Sequence, residues 1–358
     1  MPPTKKAGIL GATGTVGQRF ILLLANHPQF AIHALGASSR SAGKPYFEAT
    51  KWKQSSPIPD NVKKLVVKEC VAEEFSECDV VFSGLDADVA GDIELAFLKA
   101  NLVVFSNAKN YRRDPAVPLI VPTVNTSHLA LIPHQRALHS LSKGFIITNA
   151  NCSTTGLVVP LKALQDAFGP LDRVLVQTMQ AISGAGYPGV PSLDIIDNVV
   201  PFISGEEEKM EWETLKILGD LDTSATAFTP LAETRVSATC NRVPVIDGHT
   251  MSVSLSFARR PAPEPEDVAR AMRDYTCEAQ VLGCYSAPGR AIVVTEEQDR
   301  PQPRLDRDVE GGQTVTVGRI RNCNVLDIKF TLLVHNTVLG AAGSSVLNAE
   351  VAVAKGLI

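Results

Sequence analysis

A cysteine at the start of a predicted helix is the residue in this sequence best suited to covalent chemistry. Cys152 lies within Phe145–Gly156, after a short apolar strand and a polar turn, and the apolar residues from Leu157 to Phe168 recur at helical spacing. Because a helix N-terminus favours a thiolate, we expect a thiol pKa below its usual value of about 8.5. The N–H groups there could also stabilise an oxyanion. Cys152 is therefore a candidate nucleophile, and a small buried apolar residue is the alternative.

Three polar residues farther along the chain could assist such a nucleophile. Arg242 and His249 flank a predicted turn, so both can face one pocket. A lone histidine is more often structural, but covalent acyl chemistry needs a group that exchanges protons near neutral pH. Gln180 ends a predicted strand just before Ser183 and Gly184, where a polar side chain and bare backbone can face a ligand. These positions are candidates for one site.

Glu213 and Lys216 lie three residues apart on a predicted helix. By spacing alone, a surface ion pair worth about 0.3 to 0.5 kcal/mol is the favoured interpretation. A role in binding a charged ligand is the alternative.

A glycine-rich turn near the start of the chain predicts a dinucleotide site. The turn Gly11-Ala12-Thr13-Gly14-Thr15-Val16-Gly17 follows the strand Ala7–Leu10 and opens a helix that runs to about Asn26. A second strand, Ala31–Ala37, follows at the distance expected of a βαβ unit. Glycines let the backbone approach a pyrophosphate, whose charge the helix N-terminus meets. A purely structural turn is the alternative.

The residues after the second strand indicate which nucleotide is bound. An enzyme that prefers NAD usually has an acidic residue here, whereas this chain has the run Ser38-Ser39-Arg40-Ser41-Ala42-Gly43-Lys44. Hydroxyls and cations suit a 2′-phosphate, because guanidinium pairs with phosphate through charge-assisted hydrogen bonds. We therefore predict NADP, with a solvated basic loop as the alternative. Residues 43–61, rich in proline, serine and lysine and without clear periodicity, suggest an excursion over the nucleotide-binding face, but their role is not readable from the sequence.

Two further stretches point toward a ligand. Ser83 ends a predicted strand of the first sheet, on the side where open α/β sheets bind ligands. A loop after the next strand carries the cations Lys109, Arg112 and Arg113, which could bind an anion or form a solvated face.

The order of predicted elements gives an α/β fold of two parts. Short apolar strands alternate with helices up to Cys152, which predicts a doubly wound, Rossmann-like parallel sheet; one of these strands is expected at Leu65–Val67. Longer strands follow, which predicts an α+β domain on a mixed or antiparallel sheet. Pro160 predicts a kink or a late start for the helix after Cys152. The small-residue segment Asn336–Ala354 is predicted to be helical and to close the first domain.

Composition excludes several classes of protein. The chain has 358 residues, of which 45% are hydrophobic and 20% charged, with a formal net charge of -4. The weakly acidic balance and scarce aromatic residues argue against a nucleic-acid surface. Seven cysteines form neither a Cys-x-x-Cys pair nor a metal pattern, which indicates reduced thiols, no metal site and a cytoplasmic location. No apolar run approaches the roughly 20 residues that cross a bilayer.

Together the motifs resemble the aspartate-β-semialdehyde dehydrogenase family, most closely its archaeal and fungal branch. The glycine turn, the serine-arginine turn, Asn149–Thr155, Gln180–Gly184, Glu213–Lys216 and Arg242–His249 occur in the family's order over nearly the whole chain. The resemblance implies an NADP-binding domain at 1–150, completed by a helix at about 336–358, and a catalytic and dimerisation domain at 151–335. It also implies a homodimer or homotetramer.

Residue roles follow from this resemblance. Cys152 would be the nucleophile, Gln180 would orient the substrate and His249 would be the acid/base group. The substrate would be bound by its amine at Glu213 and by its α-carboxylate at Arg242. Lys216 and Arg112 would hold phosphate, with Arg113 or Lys109 as substitutes for Arg112, and Asn151 would line the substrate site. The implied cofactor contacts are Gly11, Thr13, Gly14, Thr15, Val16, Ser38, Ser39, Arg40, Lys44, Ser83, Ser183, Gly184 and Asn336.

The implied reaction is the reversible, NADP-dependent reduction of β-aspartyl phosphate to aspartate semialdehyde and phosphate through a thioester on Cys152. It would serve threonine and methionine biosynthesis, with lysine as a further possible product. Malonyl-CoA reductase shares this framework and is the nearest alternative. N-acetyl-glutamyl-phosphate reductase has a substrate without a free amine, so Glu213 speaks against it. A non-catalytic dinucleotide-binding protein would have no reason to combine Cys152 with His249, Arg242 and Gln180.

Overall fold

The computed structural model describes residues 4–358, which form a seven-stranded sheet, a six-stranded sheet, a small two-stranded sheet and the helices around them. The strands are β1 (Lys5–Leu10), β2 (Phe30–Ala37), β3 (Lys68–Glu69), β4 (Val80–Ser83), β5 (Val103–Ser106), β6 (Leu119–Ile120), β7 (Phe145–Asn149), β8 (Leu171–Gln180), β9 (Asp220–Leu221), β10 (Phe228–Thr229), β11 (Arg235–Arg242), β12 (His249–Phe257), β13 (Ile292–Val294), β14 (Val315–Asn322) and β15 (Ile328–Val334). The helices are α1 (Thr15–Leu24), α2 (Tyr46–Ala49), α3 (Asp60–Lys63), α4 (Ala87–Lys99), α5 (Ile132–Leu138), α6 (Cys152–Phe168), α7 (Ser192–Ile195), α8 (Glu206–Leu218), α9 (Pro265–Asp274), α10 (Glu278–Val281), α11 (Pro303–Asp306) and α12 (Gly343–Ala354).

The first sheet has seven strands in the order β3-β2-β1-β4-β5-β7-β6, and every neighbouring pair is parallel. Its strands β4, β5 and β7 are buried along their whole length, as expected when helices cover both faces of a parallel sheet. The predicted doubly wound sheet is confirmed. The strand expected at Leu65–Val67 is wrong in position, because β3 begins only at Lys68 and Val66 instead forms an isolated bridge with Pro45.

The second sheet has six strands in the order β11-β8-β12-β15-β14-β13. Its β11–β8 and β13–β14 pairs are parallel and the other pairs antiparallel, which confirms the predicted mixed sheet. Helices α6 and α8 pack into one hydrophobic cluster with the inner face of β8 and β12. Strand β11 was not expected from its polar sequence. It lies at the sheet edge, where alternate side chains face solvent.

The end of the chain returns to the first sheet. Val346, Leu347 and Val351 of α12 share a hydrophobic cluster with Leu35 and Phe82 of the parallel sheet. Helix α6 starts at Cys152 and is assigned as one helix through Pro160, so the late start is wrong. Within residues 4–358, no helix combines the length and apolarity needed to span a membrane.

Candidate active site

Cys152 occupies the first turn of α6, and the residue before it caps that helix. The side-chain oxygen of Asn151 accepts hydrogen bonds from the backbone N–H groups of Ser153 and Thr154, at 2.9 and 3.1 Å. Asn151 also donates from its amide nitrogen to the carboxylate of Glu206, which fixes the orientation of the amide. Two N–H groups expected to stabilise an oxyanion are therefore already used by the cap.

Three predicted residues converge because of the topology of the second sheet. Gln180 and Arg242 end the parallel strands β8 and β11, and they are direct partners in the register. His249 begins β12, which is antiparallel to β8, so His249 lies beside the carboxyl ends of β8 and β11. The side chains of all three are buried or nearly so. Strand directions thus bring together residues that are far apart in sequence.

The cysteine and the histidine form a close pair. Cys152 Sγ lies 3.2 Å from His249 Nε2, and the backbone N–H of Ala181 donates to His249 Nδ1 at 3.0 Å. Because Nδ1 accepts a hydrogen bond, the neutral ring carries its proton on Nε2, the atom that faces the sulfur. His249 is thereby positioned as a hydrogen-bond donor to the sulfur.

The pKa values of this pair contradict the expected thiolate. Burial, with a further contribution from the Glu206 carboxylate, raises the pKa of Cys152 to about 12, although Arg242 and Arg112 oppose the rise. Burial and the Arg242 cation lower the pKa of His249 to about 3. The expected depression of the thiol pKa is wrong because desolvation outweighs the helix terminus. Thiol and imidazole are both neutral at rest.

Glu213 does not pair with Lys216 on a surface, as spacing alone favoured. It is fully buried, and its two carboxylate oxygens accept from Arg112 Nη1 at 2.9 Å and from the backbone N–H of Asn151 at 2.6 Å. This carboxylate therefore ties the loop that carries Arg112 to the turn before Cys152. Arg113, in contrast, stacks on Trp212 at the surface, with 4.6 Å between its guanidinium carbon and the ring centroid.

Lys216 lies behind the site. Its ammonium group donates to the carbonyl oxygens of Arg112 and Asp114, at 2.8 and 3.2 Å, and lies 4.1 Å from the centre of the Phe228 ring. Burial lowers the pKa of Lys216 to about 8. The geometry does not favour the expected direct contact with phosphate, because Nζ already holds two carbonyl groups outside the cavity.

A cavity of about 920 Å³ extends from Cys152 to the glycine-rich turn and fits a dinucleotide. Gly11 has φ +70°, and a Cβ there would lie 2.6 Å from the oxygen of Gly84. A Cβ on Gly17 would lie 2.2 Å from the oxygen of Gly11. Only glycine suits these positions, so bare backbone forms the floor of the cavity. The predicted residues that line it are Gly11, Thr13, Gly14, Thr15, Val16, Ser38, Arg40, Arg112, Asn151, Cys152, Ser183, Gly184 and Asn336.

Three predicted cofactor residues lie outside this lining. Ser39 is exposed, and Lys44 donates to the carbonyl oxygen of Arg40 at 2.9 Å. Ser83 is fully buried beside Glu94, so its side chain faces the interior. At the other end of the cavity, Asn336 donates to Ser183 Oγ at 2.8 Å.

Some lining residues were not identified from the sequence. Lys51 and Lys53 come from the stretch whose role was unreadable, and Tyr187 comes from the loop after β8. Gln18 of α1 also lines the cavity. The sequence suggested that this segment passes over the nucleotide-binding face, but its lack of periodicity gave no indication of which side chains reach the cavity.

Comparisons with known proteins agree with this arrangement. A family model described as semialdehyde dehydrogenase, NAD binding domain, matches residues 6–132, and one described as semialdehyde dehydrogenase, dimerisation domain, matches residues 161–339. An aspartate-semialdehyde dehydrogenase of Cryptococcus neoformans is 66% identical over 99% of both chains. One from the archaeon Methanothermobacter thermautotrophicus is 48% identical over 96% of this chain and 97% of its own. The crystal structure of the Candida albicans aspartate semialdehyde dehydrogenase with NADP matches with a TM-score of 0.92 and 56% identity, covering 99% of this chain and all of that one (100%).

Proposed function

The chain belongs to the aspartate-semialdehyde dehydrogenase family, and from that premise we propose that it interconverts β-aspartyl phosphate and aspartate semialdehyde with NADP as cofactor. The reaction serves amino-acid biosynthesis, toward threonine and methionine. The observation that carries the proposal is the 3.2 Å contact between Cys152 Sγ and His249 Nε2 at one end of a glycine-floored cavity. A non-catalytic nucleotide-binding protein has no use for this pair.

The first step makes a thioester on Cys152. The sulfur attacks the acyl carbon of aspartyl phosphate, the bond from that carbon to the phosphate oxygen breaks, and the thiol proton leaves on the phosphate. This route suits a thiol whose pKa is raised to about 12, because the proton is lost as the leaving group forms. Arg112, which lines the cavity, binds the phosphate, and Lys216 positions Arg112 through its backbone carbonyl.

The second step releases the aldehyde. Hydride for the thioester carbon is supplied by NADPH when it is bound. The Nε2–H of His249 donates to the oxygen that becomes negative and then to the departing sulfur, which takes a proton from solvent. In this mechanism His249 acts only as a hydrogen-bond donor and not as the expected acid/base group. Its Nδ1 does not readily accept a proton, because it already accepts a hydrogen bond from the N–H of Ala181.

The remaining polar groups orient the substrate. Arg242 uses one nitrogen on the carbonyl of Ala181 at 2.8 Å, and its guanidinium binds the substrate α-carboxylate. Gln180 lies beside it at the end of β8. Glu213 binds the substrate amine in addition to its two present donors, since a carboxylate can accept about four hydrogen bonds.

Two assays run side by side test the proposal. NADPH formation from aspartate semialdehyde and phosphate is expected, whereas NADPH consumption with malonyl-CoA is not. The relatives reported above give no support to the malonyl-CoA alternative. The reverse pattern of activity would contradict the proposal.

The polypeptide is proposed to divide at about residues 150 and 335, with 1–150 and 336–358 binding NADP and 151–335 carrying catalysis and dimerisation. The shared core of α12 and the parallel sheet supports this division. Seven free cysteines, at 70, 78, 152, 240, 277, 284 and 323, suit the reducing cytoplasm, where we place the protein.

We further propose a homodimer or a homotetramer built from such dimers. The outer face of β8 exposes 47% of Leu175 and 37% of Met179, and the matching family model is a dimerisation domain. Replacing Leu175→Arg is expected to shift the sedimentation coefficient toward the monomer. An unchanged assembly would exclude this face.

A further inference from the structure

A segment outside the predicted cofactor motifs forms one wall of the dinucleotide cavity. Lys51 and Lys53 line the cavity together with Arg40, which lies in the turn after β2. Within the described residues 4–358, none of these three cations takes part in an ion pair. Asp86 is the one carboxylate among the lining residues. The cavity therefore has an excess of unpaired positive charge, which suits a ligand with several phosphates.

The segment is held in place by buried groups. Gln18 of α1 is 1% exposed, and its amide nitrogen donates to Thr50 Oγ1 at 3.2 Å and to the carbonyl of Lys51 at 3.1 Å. Its amide oxygen accepts from the N–H of Lys53 at 2.7 Å. The buried Tyr46 donates to the carbonyl of Ala12 in the glycine-rich turn, at 2.8 Å. The backbone of Thr50–Lys53 is thus fixed beside the phosphate-binding turn, while both lysine side chains remain exposed.

One of the lysines also reaches the other side of the cavity. The ammonium of Lys53 lies 4.6 Å from the centre of the Tyr187 ring. Tyr187 follows Ser183 and Gly184 in the loop after β8, and all three line the cavity. A cation over an aromatic ring is attracted by the ring quadrupole. This exposed, non-covalent contact connects the segment that carries Lys53 with the loop after β8 on the opposite wall of the cavity.

We propose that Lys51 and Lys53 bind phosphate groups of the dinucleotide and that the Lys53–Tyr187 contact is a clasp that slows its release. The proposal rests on the proposed function, because it assumes that the cavity binds NADP(H). The two phosphate sources are the pyrophosphate and the 2′-phosphate. A lysine near either phosphate group forms a charge-assisted hydrogen bond with the bound cofactor. In solution, the same phosphate group forms hydrogen bonds only with water.

The test is a fluorescence titration with NADPH and with NADH on Lys51→Met and Lys53→Met, with Lys64→Met as the control. Lys64 is exposed, carries the same charge and lies outside the lining. Methionine keeps the length of the side chain and leaves the backbone bonds to Gln18 intact. We expect the dissociation constant for NADPH to rise about tenfold in each cavity variant and to be unchanged in the control. A smaller dependence of that constant on salt should accompany the loss.

The comparison of the NADPH titration with the NADH titration identifies which phosphate group the lysines contact. Equal weakening of NADPH and NADH supports contact with the pyrophosphate, and weakening of NADPH alone supports contact with the 2′-phosphate. Wild-type affinity in both lysine variants overturns the proposal. Failure of the unaltered protein to bind either cofactor would instead overturn the proposed function.

Stopped-flow release of NADPH tests the clasp. Tyr187→Leu removes the ring and is expected to speed release about two- to fivefold, whereas Tyr187→Phe keeps the ring and should release at the wild-type rate. A leucine variant that releases NADPH at the wild-type rate overturns the clasp.

Discussion

The two ends of the cavity differ in how their charged side chains are solvated and paired. At the cofactor end, Arg40, Lys51 and Lys53 are exposed and unpaired within the described residues. At the reaction end, the charged groups are buried and already have protein partners, such as Arg112 with Glu213. An exposed cation without an ion-pair partner costs little free energy because water solvates it, whereas a buried cation without a partner is strongly unfavourable. The cofactor end thus attracts an anion, and the reaction end is preorganised around a neutral cysteine.

The largest effect is expected from substitution of Cys152, which alters only the reaction end of the cavity. Cys152→Ala removes the sulfur, so turnover should fall by roughly 10⁴-fold or more. NADPH affinity should stay near the wild-type value, since the cations at the cofactor end are untouched. Cys152→Ser should be nearly as inactive, because a hydroxyl ionises less readily than a thiol. Steady-state kinetics and a cofactor titration measure both quantities, and substantial turnover by the alanine variant would refute the assignment.

The second prediction sharpens the role of the buried histidine. His249→Asn removes the donor that faces the sulfur and should lower kcat roughly 10²- to 10³-fold. His249→Gln can place an amide N–H near the former Nε2 position and should recover about tenfold of that loss. A base would behave differently, because neither amide accepts a proton at neutral pH. If both variants are equally poor and added imidazole restores activity, His249 acts as a base.

The third prediction concerns the cofactor end. Arg40→Ala should raise the Michaelis constant for NADP by roughly ten- to a hundredfold and that for NAD much less, because a charged contact is worth about 1.5 to 3 kcal/mol. The turnover number at saturating NADP should change little, since the reaction end is intact. Equal effects on both cofactors would show that Arg40 does not contact the 2′-phosphate.

The smallest expected effect concerns Glu94, a buried acid of α4. Burial raises the pKa of Glu94 to about 7, although Ser106 Oγ donates a hydrogen bond to one of its carboxyl oxygens at 2.8 Å. The stability that this raised pKa contributes is present below the ordinary carboxyl pKa and is lost as pH rises through about 7. Glu94→Gln, which cannot ionise, should match the wild type at pH 4, below the ordinary carboxyl pKa. At pH 8 it should be more stable, by on the order of 1 to 3 kcal/mol.

Chemical denaturation at the two pH values measures this difference. A variant that is equally destabilised at both would show that Glu94 is charged in the folded protein throughout the range.

The sequence predicted the elements better than it predicted their environment. The hydrophobic period and the glycine and proline positions located five of the seven parallel strands, the glycine turn and the start of α6, because these are local features. The two-residue strand β3 was misplaced and the two-residue strand β6 was missed, since such short strands carry almost no pattern. Strand β11 was missed, since a polar edge strand carries little apolar pattern. The order of the strands, which brings Gln180 and Arg242 into register, is a long-range property that spacing cannot supply.

The site shows the same limit more strongly. The residue types of Cys152 and His249 were informative, but the thiol pKa was expected to move in the wrong direction because burial depends on tertiary packing. Lys216 was expected to contact phosphate, and only the fold shows that its ammonium holds two backbone carbonyls. Lys53 was overlooked because its contact with Tyr187 spans the two halves of the chain.

The most direct test of the central claim, a covalent acyl intermediate on Cys152, is one turnover in the absence of phosphate. Enzyme mixed with aspartate semialdehyde and NADP should give a rapid burst of NADPH of about one equivalent per subunit, followed by little further formation. Intact-protein mass spectrometry should then show the added acyl group, and peptide mapping should locate it on Cys152. A burst without an added mass, or an acyl group that also forms on Cys152→Ala, would contradict the account.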